Sequence, residues 1–152
     1  MKSKRLWLVV ADGSRARILA RNGANGALAE LEHLDHAAAR AHVRDLVTDG
    51  QGRTFDSGGQ GRHAVEPTTD PKDHEKADFL DHLAERINAA VAKNKLDELV
   101  VMAPAQALGR LRDKLSKQAS QRVAADLGKD LTGHTVRELE ARLNELTRPW
   151  KD

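Results

Sequence analysis

The chain has 152 residues, of which 39% are hydrophobic, 32% charged and only 3% aromatic, and it contains no cysteine. That length suits one domain with an aliphatic core of Leu, Val, Ile and Ala, and the lack of cysteine excludes disulfides, thiolate metal sites and thiol catalysis. A formal charge of +2 is too small to identify a polyanionic partner, so the placement of charge along the chain has to decide that question.

The opening MKSKRLWLVVADGSRARI has a basic start and an apolar run. Leu6 to Ala11 is shorter than a secretory apolar region, and Asp12, Arg15 and Arg17 follow at once. No later run approaches the length of a membrane span, so the sequence predicts a cytoplasmic protein with no membrane partner. Leu6 to Val10 reads as a buried strand and Asp12-Gly13 as a turn. In the next strand Ala16, Ile18 and Ala20 alternate with Arg15, Arg17 and Leu19. Asn22-Gly23 and Asn25-Gly26 supply a second turn, because both residue types tolerate positive φ, and ALAELEHL alternates again as a third strand. Asp35 to Val47 carries the alanines of a short helix.

From Thr48 to Pro71 the chain turns to Gly, Ser, Thr, Asp and Pro, about twice the usual upper length of a loop in a compact domain. Such a segment is either functional or disordered. Helix signals then return: Asp70 as N-cap, Pro71 at the first helical position, and Phe79, Leu80, Leu83, Ile87 and Val91 at helical spacing. ELVVMAP, residues 98–104, reads as a buried strand. Leu108, Leu111 and Leu115 mark a helix opening at Pro104, and RVAADLGKDL a last strand. Thr135 and Glu138 form a capping box before Leu139, Leu143 and Leu146, in a helix ending near Pro149. This order predicts a single α/β domain over residues 1–152, a mixed sheet with covering helices, its later strands parallel because helices connect them.

WLVVADGSRARIL, FDSGGQGRHAVEP with TDPKDHEKADFLDHLAERI, DELVVMAPAQALGRLRDKLS and VAADLGKDLTG together resemble the bacterial host attachment proteins, over nearly the whole chain. That family is in turn similar to the middle domain of archaeal and eukaryotic class 1 release factors and of Pelota, which implies a ribonuclease-H-like fold. Gly58, Gly59 and Gln60 match the Gly-Gly-Gln motif with which the release factors enter the peptidyl-transferase centre and promote hydrolysis of peptidyl-tRNA. The resemblance therefore implies a translation-associated protein acting in ribosome rescue or quality control, with the ribosome or tRNA as partner and no cofactor. Two departures stand against it. The chain has no room for the stop-codon-reading or partner-binding domains, and the helix after the motif is electrically balanced.

The chemistry of such a loop is intelligible from its residues. Glycines allow backbone conformations and close approaches closed to other residues. Gln60 can then offer a backbone N–H to a developing oxyanion while its side chain places water, but its amide does not titrate and is no general base. Arg62 and His63 follow as RNA contacts. GQGR occurs twice, at Gly50 to Arg53 and Gly59 to Arg62, which fits equally a flexible recognition arm without catalysis.

Two basic groups are further phosphate candidates: Arg110, Arg112, Lys114, Lys117 and Arg122 against Asp113, and Lys2, Lys4, Arg5, Arg15, Arg17 and Arg21 against Asp12. Both also read as solubilising charge, and no aromatic side chains interleave for base stacking. His63, Glu66, Asp70, Asp73 and His74 match no established metal-ligand spacing, so no metal site is predicted. Three functional readings remain open: peptidyl-tRNA hydrolysis, a non-enzymatic RNA- or protein-binding module, and an indirect effect on host attachment.

Overall fold

The computed structural model describes residues 4–23, 25–35 and 71–147. The elements are β1 (Arg5–Ala11), β2 (Arg15–Asn22), β3 (Ala29–Asp35), α1 (Pro71–Ala92), β4 (Glu98–Met102), α2 (Ala105–Lys114), α3 (Lys117–Gln121), β5 (Val123–Leu127) and α4 (Val136–Thr147). The strands form one mixed sheet in the order β3-β2-β1-β4-β5. β1 lies at its centre, antiparallel to β2 and parallel to β4, and β4 is parallel to β5. This is the α/β architecture that the alternation of elements predicts.

The run RLWLVVA is apolar at consecutive positions because both faces of the sheet are covered. Trp7, Val9 and Ala11 face one layer with Ile18, Leu99 and Val101, packed against Phe79, Leu83 and Ile87 of α1 and Leu108 and Leu111 of α2. Leu6, Leu8 and Val10 face the other with Leu19, Val100 and Met102, beneath Leu139 and Leu143 of α4. Two cores thus share one sheet. Strand β2 differs from simple in-out alternation for the same reason: Leu19 is fully buried and Arg21 is only 6% exposed, since α4 returns over the face on which the sequence pattern puts Arg15, Arg17 and Leu19.

The connections follow local chemistry. Asp12 turns the β1–β2 hairpin by accepting Ser14 N (2.7 Å) and Arg15 N (2.8 Å) at Oδ1. Gly23 takes φ 80° at the end of β2, a conformation that favours glycine, and its N–H donates to Lys4 O at 2.8 Å. Helix α1 stops at a left-handed Asn94 (φ 57°), where Asn94 N donates to Val91 O (2.9 Å) and Lys95 N to Ala90 O (3.0 Å), the paired bonds of a Schellman cap. The capping box at α4 is reciprocal: Glu138 N donates to Thr135 Oγ1 (3.1 Å) and Thr135 N to Glu138 Oε1 (2.9 Å).

Two details depart from the sequence expectation. Leu115 is the C-cap of α2 in extended backbone, not a member of the helix, and Ser116 then caps the unforeseen short helix α3 by accepting from Ala119 N at 3.0 Å. The proposed helix within Asp35 to Val47 lies beyond the described residues except at Asp35, the last residue of β3.

Candidate functional site

Residues Gly58, Gly59, Gln60, Arg62 and His63 lie outside the described residues. What is described is the frame that carries them: β3 ends at Asp35 on the edge of the sheet and α1 begins at Pro71. α1 is held rigidly along one side by Phe79, Leu80, Leu83, Ala84, Ile87, Ala90 and Val91, all buried. On its flank Arg86 bonds Glu32 of β3 (Nη2 to Oε1, 2.7 Å) and stands 5.6 Å from the ring centroid of Trp7, a cation–π distance. β3 and α1 are therefore tied to each other, and α1 from Phe79 onward to the core.

Beside the N-terminal half of α1, where β1 and β4 end, opens a cleft of about 450 Å³ lined by Gly13, Lys76, Ala77, Leu80, Gln106 and Arg110 among others. A Cβ on Gly13 would stand 2.8 Å from Cγ and Cδ of Lys76, so the missing side chain is what lets the lysine stem lie across the hairpin turn. The cleft was not foreseen: its walls come from the β1–β2 turn, α1, and Pro104 with α2, and no single stretch of sequence carries it.

The basic helix candidates divide into two kinds. Arg110 makes a bidentate pair with Asp81 of α1, Nε to Oδ1 and Nη2 to Oδ2 both at 2.8 Å. That hydrogen bonding lowers the Asp81 pKa and raises that of Arg110. Arg112 pairs with Asp126 of β5. Lys114 and Lys117 are exposed and make no ion pair among the described residues.

Of the N-terminal basic group, Arg17, Arg21 and Arg5 are engaged within the fold by burial or pairing, and Lys2 lies outside the described residues. Arg17, with its side chain 11% exposed, binds Glu30 through Nε (2.8 Å) and Nη2 (3.0 Å) and donates from Nη1 to the Thr132 and His134 carbonyls. It fastens the loop before α4, and its bonds to Glu30 draw that carboxyl below its ordinary pKa. Arg21 is buried against Asn144 Oδ1 (2.7 Å). Arg5 wraps Asp97 with Nε (3.1 Å), Nη2 (2.9 Å) and its own backbone N–H (2.8 Å). Arg15 and Lys4 stay exposed beside Asp12 (3.8 Å) and Glu98 (3.6 Å). In the acidic and histidine group, His74 is exposed on α1, and no cluster of three metal-compatible side chains occurs among the described residues.

Residues 7–143 match the family described as "Protein required for attachment to host cells", and the chain belongs to that family. Among solved structures, similarity is found to an archaeal translation termination factor, at 14% identity and a TM-score of 0.48, and to a second archaeal protein, at 13% and 0.46. Both alignments cover 93% of this chain, which spans only 38% and 36% of those two chains. A search of curated proteins found no match.

Proposed function

We propose that this chain is a translation-associated protein that presents Gly58-Gly59-Gln60 to peptidyl-tRNA and promotes its hydrolysis in ribosome rescue or quality control. The observation that carries the reading is the frame: the segment bearing the motif runs into α1, a 22-residue helix buried along a sheet that also holds the strand before the segment. A loop entering a reactive centre needs such fixed exits, because a small error in placement removes most of the gain from orientation. In this reading the Gln60 backbone N–H stabilises the developing oxyanion, the glycines permit the approach, and Arg62, His63, Arg110, Arg112, Lys114 and Lys117 contact RNA. The test is release of peptide from ribosome-bound peptidyl-tRNA by the purified protein. Release well above background is expected; release at background with ribosome binding retained would leave a non-enzymatic RNA-binding module.

The family description favours a second reading, a contribution to host attachment. No described helix is long and apolar enough to cross a membrane. In this reading the effect is indirect, exerted on the making of other surface proteins. Fractionation of cells tests both: ribosome-associated protein supports the first reading, and surface-associated protein would replace the indirect effect with direct attachment.

A further inference from the structure

The C-terminal half of α1 and the segment from Lys114 to Arg122 meet in a way the linear charge count conceals. Along α1 the acids Asp78, Asp81 and Glu85 precede Ile87, whereas Lys93 and Lys95 flank the Asn94 cap at its far end. Two asparagines hold the second segment against that end. Asn88 donates from Nδ2 to Lys114 O (3.1 Å) and accepts Ser116 N (2.8 Å), while Asn94 Oδ1 accepts Arg122 Nη1 (3.3 Å). Lys93, Lys95, Lys114, Lys117 and Arg122 are thereby gathered around one end of the helix. The four lysines are exposed, and none forms an ion pair among the described residues, unlike Arg110 and Arg112.

From this arrangement we infer that the surface formed by Lys93, Lys95, Lys114, Lys117 and Arg122 binds the sugar-phosphate backbone of double-stranded RNA. Compensation of helix dipoles accounts for only part of it. Lys114 and Lys93 sit where a helix end carries negative charge, but Lys117 opens α3, whose free N–H groups are already positive, so the helix dipoles of the described residues do not reward a cation there. The described aromatics Trp7 and Phe79 are buried in the core, so no described aromatic gives these cations a stacking platform. That selects backbone contact over unpaired bases. The surface lies at the C-terminal end of α1, about 33 Å from Pro71 along a 22-residue helix at 1.5 Å per residue. The choice of RNA among polyanions rests on the proposed translation role, and the surface extends that role by a docking point carried on α1, α2 and α3.

The experiment measures binding of a short RNA duplex across a salt series by wild type, by Lys93→Gln/Lys95→Gln/Lys114→Gln/Lys117→Gln, and by a control, Lys129→Gln/Arg137→Gln, on the exposed β5–α4 side. Thermal melting of each confirms folding, and single lysine substitutions replace the fourfold variant if it does not fold. Each lost phosphate contact should reduce the slope of log K against log salt by roughly 0.9, so the fourfold variant should lose about 3 to 4 and the control little. An unchanged slope in the fourfold variant, equal losses in the control, no wild-type binding at low salt, or tighter binding to polyglutamate or anionic vesicles than to RNA would each overturn the inference. Its fate is separable from that of the hydrolytic reading: a protein that binds duplex through these lysines yet releases no peptide sustains the surface and defeats the chemistry.

Discussion

Asp97, at the mouth of β4, receives three donors from Arg5, and that hydrogen bonding together with the nearby Arg122 charge holds its carboxyl well below the ordinary range. A carboxyl with a depressed folded pKa stabilises the fold above its unfolded value, near 4, and that contribution disappears as pH falls toward the folded value. Asp81, Glu30, Asp130 and Glu138 are shifted in the same direction by Arg110, Arg17, Thr132 and Thr135 respectively. Urea midpoints should therefore decline steadily from pH 5 to pH 2. Asp97→Asn should lower the midpoint at pH 7 while making the acid decline shallower; a parallel decline in both proteins would show that Asp97 contributes nothing to it. At the other end of the chain, Thr135→Ala removes one half of the capping box and should cost about 0.5 to 2 kcal/mol, read from the same denaturation curves at pH 7. Thr135→Ser should recover most of that loss.

Among the elements, α1 was the easiest to read, because Pro71, the spacing Phe79, Leu83, Ile87, Val91 and the acids and lysines between them all agree on one helix. The capping box at Thr135 and the parallel strand Glu98–Met102 were legible for similar reasons, each being a local signal that tertiary contacts reinforce. What was not legible depended on distant partners. RARILARN looks like a strand with one polar face, yet Arg17 and Arg21 serve the interior, because Glu30, the Thr132 and His134 carbonyls, and Asn144 come from elsewhere in the chain. KQASQ has too few residues to show a period, and its helix depends on the Ser116 cap. The candidate site divides along the same line: the Gly-Gly-Gln tripeptide is a local pattern, whereas the pairing that separates Arg110 and Arg112 from Lys114 and Lys117 requires α1 and β5 to be in place. The weight α1 bears predicts its fragility. Leu83 is 1% exposed at the centre of its buried stripe, so Leu83→Ala should destabilise the domain by about 2 to 5 kcal/mol in urea unfolding. A loss below 1 kcal/mol would mean that α1 is not packed as the core contacts indicate.

For the whole molecule, the division of labour between frame and loop makes the chemistry testable without damage to the fold. Leu8, Val9, Ile18, Leu99 and Val101 form the centre of the sheet, and the described cores on its two faces draw on residues before Asp35 and after Pro71. Substitutions at Gly59 and Gln60, which belong to neither described core, should accordingly leave the melting temperature within a degree or two, since changes away from such cores generally alter stability by about 0.5 kcal/mol or less. If the loop is chemical, Gly59→Ala restricts the backbone at the point of closest approach and displaces the Gln60 N–H, so peptide release should fall by up to about a hundredfold to a thousandfold, the range for losing an oxyanion donor. Gln60→Ala keeps the backbone N–H and loses only water placement, so its release should fall no further than that of Gly59→Ala. Ribosome or RNA affinity should survive both, because neither substitution removes one of the proposed RNA-contacting cations. Release by wild type at background would defeat the enzymatic reading. Equal release by all three proteins would instead move the reaction away from Gly59 and Gln60, and a loss of affinity without any wild-type release would make the segment a recognition arm.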